Sequence, residues 1–153
     1  MTATVTSQTE ISADYNKDFY AWLIKTADVL RKRQFNEIDS EHVAEELEAM
    51  SKSEKRELMS RLTVLLAHLL KWQFQSARRS RSLKNTILIQ RIDIKELLEE
   101  SPSLEYELND KIPVAYEKAR LSAEDETGID KKHFPNECPF NLSQMLNKDF
   151  FPE

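Results

Sequence analysis

The sequence predicts an all-α fold: a compact bundle of about five helices with an extended aromatic and Pro-rich C-terminal tail packed on it. Tight β-hairpins rely on glycine at positions of positive φ, and the 153 residues contain a single glycine. An apolar stripe also recurs at helical spacing in the middle of the chain, formed by Leu58, Leu62, Leu66 and Leu69. Both observations favour helix over sheet.

The N-terminal part of the chain predicts a tail and then a first helix. Residues 1–13 are polar, so we expect a disordered N-terminal tail there and a single helical domain over residues 14–153. Asp14 is the expected N-cap, because an aspartate side chain accepts hydrogen bonds from the free amides of a first helical turn. The first helix is therefore expected to run from residue 15 to about residue 32.

Two further helices are predicted before residue 78. Asp39 is expected to cap a short second helix whose core-facing residues are Val43, Leu47 and Met50. Ser51 and Glu54 have the spacing of a capping box, which predicts a third helix from residue 53 to about 77. The short connection between these two helices predicts that they pack antiparallel.

The C-terminal half predicts two more helices and the tail. Residues 78–82 form a break, and a fourth helix is expected over residues 83–100, before Pro102. Pro102 suits the first turn of a fifth helix, which Pro113 is expected to kink or interrupt and Gly128 to end as a left-handed cap. The residues after it predict an extended tail that docks on the bundle through Phe134, Pro135, Pro139, Phe140, Phe150, Phe151 and Pro152.

Composition excludes several classes of site. With one glycine, the chain lacks the Gly-rich loops that bind dinucleotides or nucleoside triphosphates. One cysteine, Cys138, excludes an intramolecular disulfide and a multi-cysteine zinc site, and no Glu precedes a His by three residues as in di-metal bundles. We therefore expect no metal and no cofactor. The longest apolar run, residues 64–70, is too short to span a membrane, and without a signal sequence we expect a bacterial cytoplasmic protein.

Positive charge is concentrated in one part of an acidic chain. The net charge is −5, yet residues 58–92 contain seven basic residues and no Asp or Glu. Arginines neutralise phosphates and an indole stacks on an unpaired base, so we expect RNA contact through a basic segment at residues 78–91. The residues expected to make this contact are Lys71, Trp72, Arg78, Arg79, Arg81 and Lys84. The alternative is internal pairing of these cations with acidic runs at residues 96–100 and 124–126.

A second functional hypothesis rests on Arg61, His68 and Glu46 as catalytic residues. Arg61 and His68 are seven residues apart, which places them within about 20° of each other on a helix. An imidazole exchanges protons near neutral pH, and a guanidinium stabilises a phosphate that gains charge. The pair is similar to the Arg-x4–6-His motif of HEPN-type ribonucleases, which are helical and metal-independent, and antiparallel packing would bring Glu46 close to it. The alternative is a core-edge histidine and an ion-paired arginine.

The motifs taken together resemble a known family. In chain order they are Asp18-Phe19-Tyr20-Ala21-Trp22, Ala44-Glu45-Glu46-Leu47-Glu48, Arg61-Leu62, Leu65-Leu66-Ala67-His68-Leu69-Leu70-Lys71-Trp72-Gln73, Arg78-Arg79-Ser80-Arg81-Ser82, Ser101-Pro102-Ser103-Leu104, Glu126-Thr127-Gly128 and Phe134-Pro135-x-x-Cys138-Pro139. This order resembles domain-of-unknown-function family 29, a bacterial group abundant in cyanobacteria, over about residues 14–152. The resemblance implies an all-helical protein and assigns no activity. RNA contact is therefore the expected function, with metal-independent RNA cleavage or a non-catalytic protein–protein interaction as alternatives.

Overall fold

The computed structural model describes the backbone of residues 2–153 and the side chains of residues 10–153. Every regular element within these residues is helical, which confirms the predicted all-α class. The α-helices found there are α1 (Thr2–Lys17), α2 (Phe19–Arg31), α3 (Ser40–Phe74), α4 (Arg81–Glu100), α5 (Glu105–Thr127) and α6 (Leu142–Leu146). None of them combines the length and the apolar sequence that a membrane crossing requires. The chain forms two compact units: the first ends at Ser53 and the second comprises Glu54–Glu153.

The first unit has a small apolar core around Trp22 of α2. This side chain is 2% exposed, and Ile11 of α1 and Val29 of α2 are buried with it. Residues 2–13, for which the sequence predicts a disordered tail, are helical in the structure. Ile11 lies one helical turn before Tyr15, and both pack on this core, so the apolar face of α1 extends further towards the N-terminus than its polar composition indicates.

The predicted first helix is divided at Asp18. The Asp18 side chain accepts a hydrogen bond from the Ala21 amide at 3.0 Å and so caps α2. Asp14, the cap expected from the sequence, lies one turn earlier inside α1 and forms an ion pair with Lys25. Two aspartates one turn apart are equally good caps by composition, and the position of the backbone break decides between them.

Helix α3 is continuous over 35 residues, so the predicted break between a second and a third helix is wrong. Residues 46–58 contain no glycine or proline and consist mostly of good helix formers, and nothing in them ends the helix. Leu47 and Met50, which were expected to face the core, are 62% and 65% exposed. Asp39 does begin this helix as predicted, since its Oδ1 accepts a hydrogen bond from the His42 amide at 3.4 Å.

The core of the second unit is formed by α3, α4 and α5. The predicted leucine stripe of α3 is buried, and α4 contributes Ile87 and Ile94 to the same cluster. Helix α5 continues through Pro113, so the interruption that this proline predicts does not occur. The helix ends at Gly128, whose φ of 73° confirms the left-handed cap. The α5 side chains buried in this cluster are Leu108, Ala115, Tyr116, Ala119 and Ala123.

The C-terminal tail packs on the core of the second unit, as its aromatic residues predict. The Tyr116 hydroxyl donates a hydrogen bond to the Pro135 carbonyl at 2.6 Å, and burial raises the pKa of this tyrosine to about 12. One turn further along α5, Nη2 of Arg120 donates to the carbonyl of Lys131 at 3.0 Å. The tail rings that lie in or against the core cluster are Phe134, Phe140, Phe150 and Phe151.

Candidate nucleic-acid interface

A polar cleft lies in the second unit, between the C-terminal end of α3, the start of α4 and the end of α5. Its volume is about 250 Å³. We call it the basic cleft, and its lining residues are His68, Lys71, Gln75, Arg78, Ser80, Ser82, Leu83, Thr86 and Glu126. Only one of its four ionisable side chains is acidic, so the cleft favours an anion over a cation.

His68 is oriented by the main chain of its own helix. Its Nδ1 lies 2.7 Å from the Val64 carbonyl oxygen, and only a protonated Nδ1 donates to a carbonyl. In the neutral ring Nε2 is then the nitrogen without a proton. We find no hydrogen bond to Nε2 from any described residue. This atom is therefore available to accept a proton or, once protonated, to donate to an anion.

Lys71 and Glu126 form the ion pair of the basic cleft. Nζ of Lys71 lies 2.6 Å from Oε2 of Glu126, and this hydrogen bond lowers the pKa of the carboxyl group. The carboxylate therefore stays ionised and offsets one positive charge. The ammonium group retains further N–H donors for a ligand, because it carries more protons than one carboxylate oxygen accepts.

Arg78 and the hydroxyl groups of α4 complete the basic cleft. Arg78 is exposed at the end of the 3₁₀ turn Ser76–Arg78, and no ion pair joins it to a described residue. Ser80 caps α4 by accepting a hydrogen bond from the Leu83 amide at 3.1 Å, which leaves its own hydroxyl proton free to donate. The first turn of α4 contains no acidic residue, so the partial positive charge of the helix end adds to that of Arg78.

A wider and more open depression adjoins the basic cleft at Ser80. Its volume is about 510 Å³. We call it the aromatic shelf, and it is lined by Trp72, Arg79, Ser80, Arg81, Lys84, Asn85 and Leu88. The Trp72 ring is held against Phe151, with the ring centroids 4.8 Å apart. The Arg79 guanidinium carbon also lies over this ring, 5.1 Å from its centroid, so a base stacks on the indole either in place of Arg79 or on the part of the ring that Arg79 and Phe151 leave exposed. The exposed cations Arg81 and Lys84 are suited to contact the neighbouring phosphates.

Two arginines of the predicted binding segment instead hold the C-terminal tail. Arg79 donates from Nε to the Trp72 carbonyl at 2.8 Å and from Nη2 to the Pro152 carbonyl at 3.3 Å. Arg91 is 2% exposed and donates from Nε to the Met145 carbonyl at 2.7 Å. The basic segment at residues 78–91 therefore contains both exposed cations and cations with structural partners.

Arg61 and His68 do not meet in one site. Nη1 of Arg61 donates to Asp93 at 2.7 Å, and Nη2 pairs with Glu57 at 3.0 Å. Arg61 lines a separate cavity of about 200 Å³ whose other ionisable residues are all acidic. Its guanidinium is thus already neutralised, as the structural alternative in the sequence analysis expects.

Glu46 belongs to the first unit, where it accepts a hydrogen bond from the Tyr15 hydroxyl at 2.6 Å. This hydrogen bond raises the pKa of Tyr15 to about 12. The predicted approach of Glu46 to the other two residues depended on antiparallel packing of two helices. That packing does not exist, because both predicted helices are parts of α3.

Glu126 and Thr86 line the basic cleft and were not among the predicted site residues. Glu126 is 55 residues from Lys71 along the chain. The acidic run at residues 124–126 is the signal in the sequence for this residue, because such a run is an expected internal partner of the cations. Among the described residues, no group of three or more His, Cys, Asp or Glu side chains is arranged to hold a metal ion.

Comparison with known proteins identifies a family and leaves the activity open. The model of the family described as "Domain of unknown function DUF29" matches residues 15–151. This match confirms the resemblance that the motifs indicated and covers nearly the whole chain. No curated protein and no solved structure matches the chain.

Proposed function

Because the chain belongs to the DUF29 family, whose description assigns no activity, we propose a function from the site itself: the second unit binds single-stranded RNA. The observation that carries this proposal is the junction of the basic cleft and the aromatic shelf at Ser80. One surface supplies cations and hydroxyl donors, and the other supplies an indole ring between cations. Phosphate contacts and base stacking are the two interactions by which proteins hold unpaired strands.

A single strand fits this pair of surfaces better than a duplex. Stacking on Trp72 requires a base that is not already stacked and paired in a helix. The basic cleft also admits only a small group, because its volume is about 250 Å³.

We place this binding in the bacterial cytoplasm, a reducing compartment that suits the single free thiol of Cys138.

The test is fluorescence anisotropy of a labelled, unstructured RNA at several salt concentrations. Arg78→Ala is expected to weaken binding and to reduce the slope of log K against log salt by about 0.7, the contribution of one phosphate contact on a single strand. Arg56→Ala is the matched control, because it removes the same charge from an exposed position of α3 outside both surfaces. Binding that is independent of salt, or equal losses in the two variants, contradicts the proposal.

RNA cleavage is a second candidate, favoured by the orientation of His68. With Nδ1 bonded to Val64, the neutral ring presents Nε2 as a base in a cleft that also holds Lys71 and Arg78. In this reaction Nε2 takes the 2′-hydroxyl proton, the O2′–P bond forms and the P–O5′ bond breaks. The imidazolium then returns the proton to the departing 5′ oxygen.

Cleavage is tested by incubating a labelled small-RNA pool with the protein in EDTA and separating the products on a gel. We expect products that are absent with His68→Ala and absent when the substrate carries 2′-deoxyribose. Activity that survives in His68→Ala rejects this mechanism. A protein that neither cleaves nor binds RNA leaves the third hypothesis, a non-catalytic interaction with another protein.

A further inference from the structure

We propose that the basic cleft receives the terminal phosphate monoester of an RNA strand rather than an internal phosphodiester. This inference rests on the proposed RNA binding and names the part of the RNA that the cleft recognises. The following nucleotides then lie across the aromatic shelf, which begins at the shared residue Ser80.

The size and walls of the basic cleft support a chain end. Small-molecule pockets in proteins have volumes of about 300–1,000 Å³, and the cleft, at about 250 Å³, is smaller than these. Its lining comes from three helices and the turn before α4, with Glu126 on α5 and Ser82 and Thr86 on α4. A phosphate and its ribose fit such a volume more readily than a strand that must enter and leave.

The charge of the basic cleft favours the phosphate group that carries more negative charge. Lys71 and Glu126 offset each other, which leaves the positive charge of Arg78 and the partial positive charge at the start of α4. A phosphate monoester carries a charge of about −1.5 to −2 at pH 7, because its second pKa is about 6. The cleft therefore attracts a monoester more strongly than a diester, which carries a single negative charge.

The donors of the cleft also exceed what a diester accepts. The Ser80 hydroxyl proton is not used by its capping bond, and no hydrogen bond from the Ser82 hydroxyl to a described residue is found. With the exposed guanidinium of Arg78, and with Nε2 of His68 once this atom is protonated, these groups form a set of donors that line one small volume. The three terminal oxygens of a monoester use such a set more fully than the two of a diester.

The experiment compares RNAs of one sequence that carry a 5′-phosphate, a 3′-phosphate or hydroxyl groups at both ends. We expect one phosphorylated RNA to bind at least about tenfold more tightly than the hydroxyl form, the effect of one charge-assisted hydrogen bond. Inorganic phosphate and a nucleoside monophosphate are expected to compete with that RNA. Ser82→Ala and His68→Gln should reduce the preference, whereas Lys84→Ala on the shelf should weaken all three RNAs equally.

The possible outcomes separate this inference from the proposed function. Equal, salt-dependent affinity for the three RNAs overturns the terminal-phosphate inference and leaves RNA binding in place. Absence of binding to all three overturns the proposed function itself. Cleavage of an internal bond that disappears in His68→Ala overturns the inference, because a diester then occupies the cleft. A phosphoserine peptide that binds as tightly as the phosphorylated RNA overturns the choice of RNA.

Discussion

Arg91 is a buried cation within the basic segment, and its replacement tests whether that segment is structural at this position. Arg91→Met keeps an unbranched side chain and removes the charge and the N–H donors. In the structure, Nε donates to Met145 at 2.7 Å, Nη2 donates to Gln144 at 3.2 Å, and the guanidinium carbon lies 5.2 Å from the Phe151 ring centroid. The side chain thus connects α4 to α6 and to the end of the tail.

The expected cost follows from the carbonyl groups that lose their donors. A buried acceptor left without a partner costs about 1–3 kcal/mol. The carbonyls of Gln144 and Met145 are both affected, and part of the loss is offset because a guanidinium no longer has to be removed from water. We therefore expect the free energy of unfolding to fall by about 2–3 kcal/mol, which corresponds to a Tm about 4–12 °C lower for a chain of this length.

The assay is thermal unfolding followed by circular dichroism, with RNA affinity measured at a temperature where the variant is folded. Lys95→Met is the matched control, because it makes the same kind of change at an exposed position one turn further along α4. We expect this control to change stability by about 0.5 kcal/mol or less. An Arg91→Met variant that unfolds at the parent temperature, or a folded variant that loses as much RNA affinity as Arg78→Ala, would refute the structural role of Arg91.

Further predictions concern local structure and pH. Leu66→Ala is expected to lower the free energy of unfolding, measured in urea, by about 2–5 kcal/mol, because the side chain is fully buried. Leu47→Ala, at an exposed position, should change it by no more than about 0.5 kcal/mol. Similar losses in the two variants would contradict the observed burial. Gly128→Ala should cost about 1–2 kcal/mol from its φ of 73° alone, since a Cβ there meets no atom within 4 Å; an unchanged Tm would contradict the left-handed cap. The pKa of Asp39 is lower than that of an ordinary aspartate. Burial on its own would raise this pKa, but the hydrogen bonds that the carboxylate accepts lower it by more. Its stabilising contribution is therefore complete above the unfolded pKa of about 3.9 and lost as the pH falls through the lower folded value. Asp39→Asn keeps a capping oxygen but has no carboxyl group to protonate, so it should not lose this stability at low pH. If the free energy of unfolding in urea falls equally with pH in the variant and the parent, the lowered pKa of Asp39 is contradicted.

Two helix boundaries were predicted correctly from a residue that imposes a backbone conformation, whereas Pro113 does not end α5. Gly128 ends α5 because its positive φ suits glycine, and Pro102 follows the end of α4 because proline disfavours helix before it. The capping-box pattern of Ser51 and Glu54 failed, because these residue types are also tolerated inside a helix. A capping pattern marks where a helix is able to begin, and the break itself depends on what the chain packs against.

The candidate site was predicted in part for a similar reason. Lys71, Trp72 and Arg78 are close in the chain, so their proximity in space follows from the end of α3 and the turn directly after it. The roles of Arg79 and Arg91 depend on tail carbonyls more than 50 residues away, and no local pattern reports such partners.

The sequence by itself determines the helical class, the family and the concentration of positive charge. These properties depend on residue types and spacings that are local, extending over one or two helical turns. The tertiary structure alone decides which cations are free to bind a ligand and which are already paired within the protein. Glu57 and Asp93 neutralise Arg61, and main-chain carbonyls bind Arg91, whereas Arg78 has no ion-pair partner among the described residues. An ion pair or a buried hydrogen bond depends on distances across the folded chain, and it therefore forms only once the helices and the tail have packed.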